Sequence, residues 1–252
     1  MRGILRLWAG AGLGAALAML SVQTGAAAPS KVYSPHVEKG ELEIEHRGIV
    51  DKDGDPDKDG ALTIKDGFGY GIADWWFAEA YAEHEREAGE DLELVAVEVE
   101  SIFRLTEPGE YWADLGFLAE YAFSTKGGTD EVELGPLIEK QIGRTVHTAN
   151  VIFSKEIGDG AEDVMLEYAW ASRWRLSPYF QPGFEAFGEF GEIGDFPALR
   201  DQEHKIGPAA IGTVPLGNGA GKLHYEAAYL FGLTDETPDG AFRWLLEYEL
   251  RF

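Results

Sequence analysis

The chain has 252 residues, enough for one barrel or one large all-β domain and short for two ordinary domains. Its formal charge of −24 argues against a nucleic-acid partner, which needs a basic face. The absence of cysteine excludes disulfides, thiolate metal sites, a cysteine nucleophile and a lipoprotein anchor. Thirty-two glycines and a 12% aromatic share suit short strands and turns, and no stretch beyond the N-terminus is long and apolar enough for a membrane helix.

In chain order, the first element is a leader. Arg2 and Arg6 make a basic start, LWAGAGLGAALAMLSV (7–22) an apolar core, and GAAAP (25–29) a small-residue cleavage site after Ala26 or Ala27. This pattern predicts a secretory signal peptide over 1–27, removed on export. Residues 28–40 then read as an N-terminal periplasmic segment, and 41–252 as the folded domain. Losing Arg2 and Arg6 makes the mature chain more acidic still.

From residue 41 onward the hydrophobic period is close to two, which is the signature of strands. Twelve segments are predicted: 41–50, 61–71, 75–85, 92–105, 110–124, 131–141, 146–156, 163–175, 179–190, 203–214, 222–233 and 241–252. The last is the clearest. In AFRWLLEYELRF, Phe242, Trp244, Leu246, Tyr248, Leu250 and Phe252 share one face, opposite Arg243, Glu247, Glu249 and Arg251. Segments 131–141 and 203–214 alternate poorly. Lengths of about 10 residues or more match what a tilted strand needs to cross a bilayer. The expected fold is an all-β, antiparallel, up-and-down transmembrane barrel of about twelve strands. A soluble barrel with its apolar rows turned inward is the rival architecture.

Connections alternate in character. Those at 73–75, 106–109, 143–144, 177–178 and 215–219 read as tight turns, and those at 51–60, 84–91, 124–130, 157–163, 191–202 and 234–240 as longer acidic loops. Short periplasmic turns opposite longer outer loops are the organisation of outer-membrane barrels. In the first loop, DPDKDGALTIKD (55–66) sets Asp55, Asp57, Asp59, Gly60, Thr63 and Asp66 at the ligand spacing of a Ca²⁺-binding loop. The last ligand is Asp where that motif has a bidentate Glu, and no flanking helices are expected. The two readings are an acidic hairpin tip and a weak surface Ca²⁺ site on Asp55, Asp57, Asp59, Thr63 and Asp66.

The charged faces would line the lumen. They supply Glu98, Glu100, Arg104, Glu120, Glu167, Arg173, Arg175, Glu226, Arg243, Glu247 and Arg251, joined by Glu43, Glu45, Arg47, Glu185 and Glu189. Charges of both signs in a barrel of this width either plug it as ion-pair networks or line a narrow channel. GFGYG (67–71) is no phosphate loop; inward glycines at 67, 69 and 71 relieve crowding or allow curvature. Six histidines and the strand serines Ser101 and Ser172 form no triad or ligand spacing, so no enzyme is expected.

Phe252, with Leu250 and Tyr248 at alternate positions before it, resembles the C-terminal recognition signal of bacterial outer-membrane barrels, which implies the barrel assembly machinery and outer-membrane lipid as partners. The phrases FGYGIADWWFAEAYAE (68–83), FRLTEPGEYWADLGF (103–117), GPLIEKQIGR (135–144), EHKIGPA (203–209) and LFGLTDETP (230–238) together resemble an uncharacterised family of exported proteobacterial outer-membrane β-barrel proteins. The resemblance implies an outer-membrane location and a barrel fold and carries no catalytic residue. Two functions remain open: a narrow channel for small solutes or ions, and a structural or surface-interaction barrel with a plugged lumen and acidic, cation-binding loops.

Overall fold

A strand with one apolar and one polar face must bury its hydrogen-bonding edges as well as choose its faces, and closing the sheet on itself meets the first demand. The computed structural model describes residues 30–251, and in it every strand pairs with its sequence neighbours and the last pairs with the first. The strands are β1 (Glu41–Lys52), β2 (Leu62–Ala73), β3 (Trp76–Arg86), β4 (Glu93–Arg104), β5 (Asp114–Ser124), β6 (Asp130–Ile142), β7 (Thr145–Ile157), β8 (Met165–Trp174), β9 (Gln181–Glu192), β10 (Glu203–Pro215), β11 (Lys222–Gly232) and β12 (Gly240–Arg251). All are antiparallel. The closing seam runs unbroken from Glu41↔Arg251 to Lys52↔Gly240. The signal peptide of residues 1–27 and the terminal Phe252 lie outside the described residues.

The twelve expected strands are all present, with ends moved by a few residues. The connections depart further. Those at 74–75 and 143–144 are tight, but 105–113 and 175–180, expected as short turns, are full loops, tied down by Gly109 N–H to Asp114 and by the Ser177–Phe180 pair. The two ends of the barrel therefore differ less than the sequence pattern implied. Below they are called the turn end, where β1 begins, and the loop end.

The two poorly alternating strands share a cause. β6 and β10 each carry Gly-Pro in mid-strand, Gly135-Pro136 and Gly207-Pro208. Proline has no N–H to give to the ladder. Pairing stays continuous on one side, through Pro136 opposite Phe117 and Pro208 opposite Phe184. On the other side it skips, from Leu134↔Phe153 to Leu137↔Asn150 and from Ile206↔Phe231 to Ala209↔Ala228. At the skip the neighbouring backbone comes so close that only glycine fits. A Cβ on Gly135 would sit 2.1 Å from the Val151 carbonyl oxygen, and one on Gly207 1.8 Å from that of Tyr229.

Large apolar side chains point outward along the whole circumference: Phe68, Tyr70, Val97, Val99, Phe123, Leu134, Val151, Phe153, Phe184, Phe231, Phe242 and Leu246 are all exposed. Aromatic rings collect at the turn end, where Trp75, Trp76 and Phe103 stack with centroids 6.1–6.3 Å apart and Tyr111, Trp112, Trp174 and Tyr179 lie exposed nearby in sequence to the turns. The rival soluble barrel requires the opposite placement. The interior is mixed: glutamates share it with Phe77, Ile102, Leu118, Leu137 and Ile152 in one cluster and with Phe187 and Leu230 in another. No helix among the described residues is long and apolar enough to cross a membrane, which says nothing of crossing by strands.

The Gly-Pro skips yield a direct test. Gly207→Val forces a side chain into the Tyr229 backbone and is expected to destabilise the folded barrel by about 1–3 kcal/mol. Ala227→Val, on the outer face of β11, should stay within about 0.5 kcal/mol. Urea midpoints of refolded protein, followed by heat-modifiable gel mobility, measure both.

Candidate functional site

The inner faces of the strands bring carboxylates together faster than they bring bases. β1 contributes Glu41, Glu43, Glu45 and Arg47; β3 Glu79 and Glu83; β4 Glu98 and Glu100; β5 Glu120; β6 Glu131, Glu133 and Glu139; β8 Glu167; β9 Glu185 and Glu189. Glu98, Glu100, Glu167 and Glu185 are fully buried. Taking a carboxylate out of water costs several kcal/mol unless it is paired, by roughly the same amount for each ion. Part of the pairing comes from the wall itself. Arg243 meets Glu185 at 3.0 Å and Glu226 at 2.7 Å, Lys65 meets Glu98 at 2.7 Å and Glu83 at 3.3 Å, and Arg47 meets Glu45 at 2.6 Å while stacking 4.4 Å from the Tyr81 ring.

The rest is supplied by the chain ahead of β1. Residues 28–40 were expected as a periplasmic segment; of the described part, 30–37 lies inside the barrel, while Glu38 and Lys39 are exposed at the turn-end rim. Lys31 Nζ donates to Glu45 at 2.7 Å and to the Tyr81 hydroxyl at 3.1 Å, with Glu79 at 3.5 Å. Tyr33 donates its hydroxyl to Glu100 at 2.8 Å, and its backbone is held at both groups by the Asn150 amide, at 2.7 and 2.9 Å. Arg243 Nε donates to the Ser30 carbonyl. Val37 and Tyr33 pack with Phe77, Ile102, Leu118, Leu137 and Ile152, and Val32 packs on the second apolar cluster. A free tail would leave these inward apolar groups and carboxylates facing water or one another.

The GFGYG glycines make room for this arrangement. A Cβ on Gly67 would lie 2.2 Å from the Tyr81 ring, one on Gly69 2.4 Å from the Phe77 ring, and one on Gly71 1.9 Å from the Glu38 carbonyl oxygen. The first two let the inward rings of β3 lie flat against β2, and the third lets the entering segment hug the wall.

With the segment in place the lumen is divided. A cavity of 330 Å³ at the turn end is lined by Lys31, His36, Glu43, Arg173, Glu226 and Glu247 among others. A 620 Å³ vestibule at the loop end is lined by Asp51, Glu131, Glu156, Glu189, Glu203 and Lys205 among others. A third space of 190 Å³ sits against Lys65, Glu83, Glu98, Glu120, Glu131 and Glu133.

Most expected lumen residues are inside: Glu98, Glu100, Glu120, Glu167 and Arg243 are buried, and Arg173, Glu226 and Glu247 line the turn-end cavity. Arg104 sits at the turn-end rim, paired with Glu107 at 2.9 Å. Arg175 and Arg251 are corrections. β8 stops at Trp174, so Arg175 leaves the alternation and binds Gln141 at 2.7 Å on the surface, and Arg251 reaches over the rim to Glu38 at 2.7 Å. Lys31, Tyr33, Lys65 and Asn150 were missed. The available signal was the charge imbalance: inward rows so rich in Glu call for cations from elsewhere in the chain.

The first-loop residues do not converge on one point. Asp59 accepts from Lys52 Nζ at 2.6 Å and Asp53 N–H at 3.1 Å, and Asp55 accepts from Asp57 N–H at 3.1 Å. Thr63 and Asp66 fall three residues apart on β2, hence on opposite faces; Thr63 lines the vestibule while Asp66 pairs with His46 at 2.8 Å on the outside. That geometry cannot close around a single ion and corrects the expected ligand set.

Fold and lumen together define a closed twelve-strand barrel with an apolar outer surface and an acidic interior occupied by its own N-terminal segment. A solved outer membrane channel from Pseudomonas putida F1 has a similar fold, with a TM-score of 0.58 and 12% sequence identity over 89% of this chain and 99% of that one. No family model matches the chain, and no curated protein matches it in sequence.

Two expectations follow for the segment. Lys31→Met removes the cation beside Glu45 and Glu79 and should cost about 1–3 kcal/mol, read as an earlier urea midpoint. His36, bonded to Glu139 at 3.1 Å and 3.6 Å from Asp114, has its pKa raised, chiefly by the Glu139 hydrogen bond. Because the folded value lies above the usual one of about 6.5, this contact stabilises fully below that value and is lost as pH rises through the raised one. Amide hydrogen exchange of residues 30–40 should therefore speed up on raising pH across that window, beyond the intrinsic base-catalysed rate, and His36→Ala should abolish the excess.

Proposed function

We propose that this protein is an outer-membrane channel for small solutes or ions, with residues 30–37 as its constriction and its inward carboxylates favouring cations. The observation that carries this reading is the way the segment is held. Between Ser30 and Val37 it is fixed by side-chain contacts to the wall (Lys31 to Glu45, Tyr33 to Glu100 and Asn150, His36 to Glu139), not by a strand ladder, so it can shift without opening the barrel. Cavities of 330 and 620 Å³ lie on its two sides. The apolar outer surface and the turn-end aromatics suit a bilayer and its interface, and the fold likeness to a solved outer membrane channel supports the same assignment. Rings of acidic side chains select cations in narrow pores.

Planar-bilayer recording tests it. Wild-type protein should give small, cation-preferring currents, and deletion of residues 30–37 should raise conductance several-fold. Silence from both proteins, each shown to be folded by heat-modifiable mobility, overturns the channel reading. It would favour the second one, a structural barrel, which the buried Arg243–Glu185 and Lys31–Glu45 pairs also suit. Fractionation addresses location separately: recovery with the outer membrane is expected, and recovery in the soluble periplasm contradicts it.

A further inference from the structure

We propose that Glu131, Glu133 and Glu167, with Ser154 between them, form an intralumenal binding site for a hard divalent cation such as Ca²⁺. The three strands are adjacent, and register sets the residues: Glu133 lies opposite Ser154 on β7, and Glu167 on β8 lies opposite Ile152, one inward step from Ser154. The small serine leaves space where a longer side chain would fill it. One carboxylate oxygen from each glutamate lies within 4.8 Å of the others. Hard cations bind oxygens at about 2.3–2.6 Å, so oxygens on opposite sides of one ion stand at most about 5 Å apart. The spacing fits.

A second observation separates this trio from an ordinary acidic cluster. Glu167 is fully buried; its Oε1 accepts from Ser154 Oγ at 2.6 Å, and its Oε2 has no hydrogen-bond partner. Most buried carboxylate oxygens in proteins are satisfied, and an unsatisfied one calls for an ion or water. Among the described residues Asp51, Glu79, Glu98 and Glu100 each carry one too, but only at Glu167 does it fall in a trio of carboxylates spaced for one ion. Lys65, which lines one space with Glu131 and Glu133, is itself paired with Glu98 and Glu83. The comparable trio Glu41, Glu43 and Glu249 differs in just this respect, because Lys222 pairs with both Glu41 and Glu249. Access is direct: Glu131 and Ser154 line the loop-end vestibule, whose wall also carries Asp51, Glu156, Glu189 and Glu203 and would concentrate cations at the entrance.

The site does not depend on conduction, so a silent bilayer leaves it standing. Equilibrium dialysis of the folded, full-length protein against radiolabelled calcium, after EDTA treatment, is the direct test. One saturable ion per barrel is expected above weak loop binding. E133Q/E167Q should weaken it at least tenfold, while E41Q/E249Q leaves it unchanged. If the double variant does not fold, E131Q is the milder probe, with a loss of about tenfold expected. Absence of a saturable step in the wild type overturns the proposal, as does unchanged affinity in a folded E133Q/E167Q or E131Q protein.

Discussion

Closing a sheet of Glu-rich strands creates a space where carboxylates face each other across a low-dielectric wall, and the rest of this structure is organised around neutralising them. Glu45, Glu79 and Glu100 lie at mid-barrel, where Arg47 reaches Glu45 and the hydroxyl that Glu100 accepts from belongs to Tyr33 of the entering segment. The chain answers by folding residues 30–37 back into the lumen, placing the Lys31 ammonium and the Tyr33 hydroxyl among them. The same segment brings Val32 and Val37 to the inward apolar clusters. One short stretch thus satisfies both charge and packing, and only then does the barrel have a constriction.

The division of the lumen follows from this. Because the segment enters at the turn end and is anchored at mid-depth, it leaves a cavity below and a larger acidic vestibule above. The vestibule keeps a carboxylate excess with Lys205 as its base, and the trio of Glu131, Glu133 and Glu167 lies where that excess meets the buried wall. The wall thins to glycine where the packing is closest, at Gly67, Gly69 and Gly71 beside Tyr81, Phe77 and the entering chain.

How much of this was legible depended on locality. Strand identity was legible because alternation is a local property; β12 could be read residue by residue from Phe242 to Arg251. β6 and β10 read poorly because Gly135-Pro136 and Gly207-Pro208 interrupt the period, and their skipped pairing is visible only against the neighbouring strands. The inward direction of Glu98, Glu120, Glu167 and Arg243 followed from the same alternation, whereas Arg175 lay past the end of its strand, where the rule lapses. The plug was not legible. Lys31, Tyr33 and His36 have no periodicity, and their partners, Glu45, Glu100 and Glu139, are far away in sequence. Spacing misled in the first loop, where Thr63 and Asp66 matched a ligand pattern that a strand splits between two faces.

The account stands on residues 30–37 lying inside the barrel, and the chain, having no cysteine, offers a clean background for testing that. The most direct measurement is the rate at which a bulky, polar maleimide labels Val32→Cys in the folded protein, compared with Gly54→Cys in the exposed first loop. A lumenal segment predicts labelling at position 32 slower by a hundredfold or more, recovering to the loop rate on unfolding. Equal rates at the two positions in the folded barrel would contradict it.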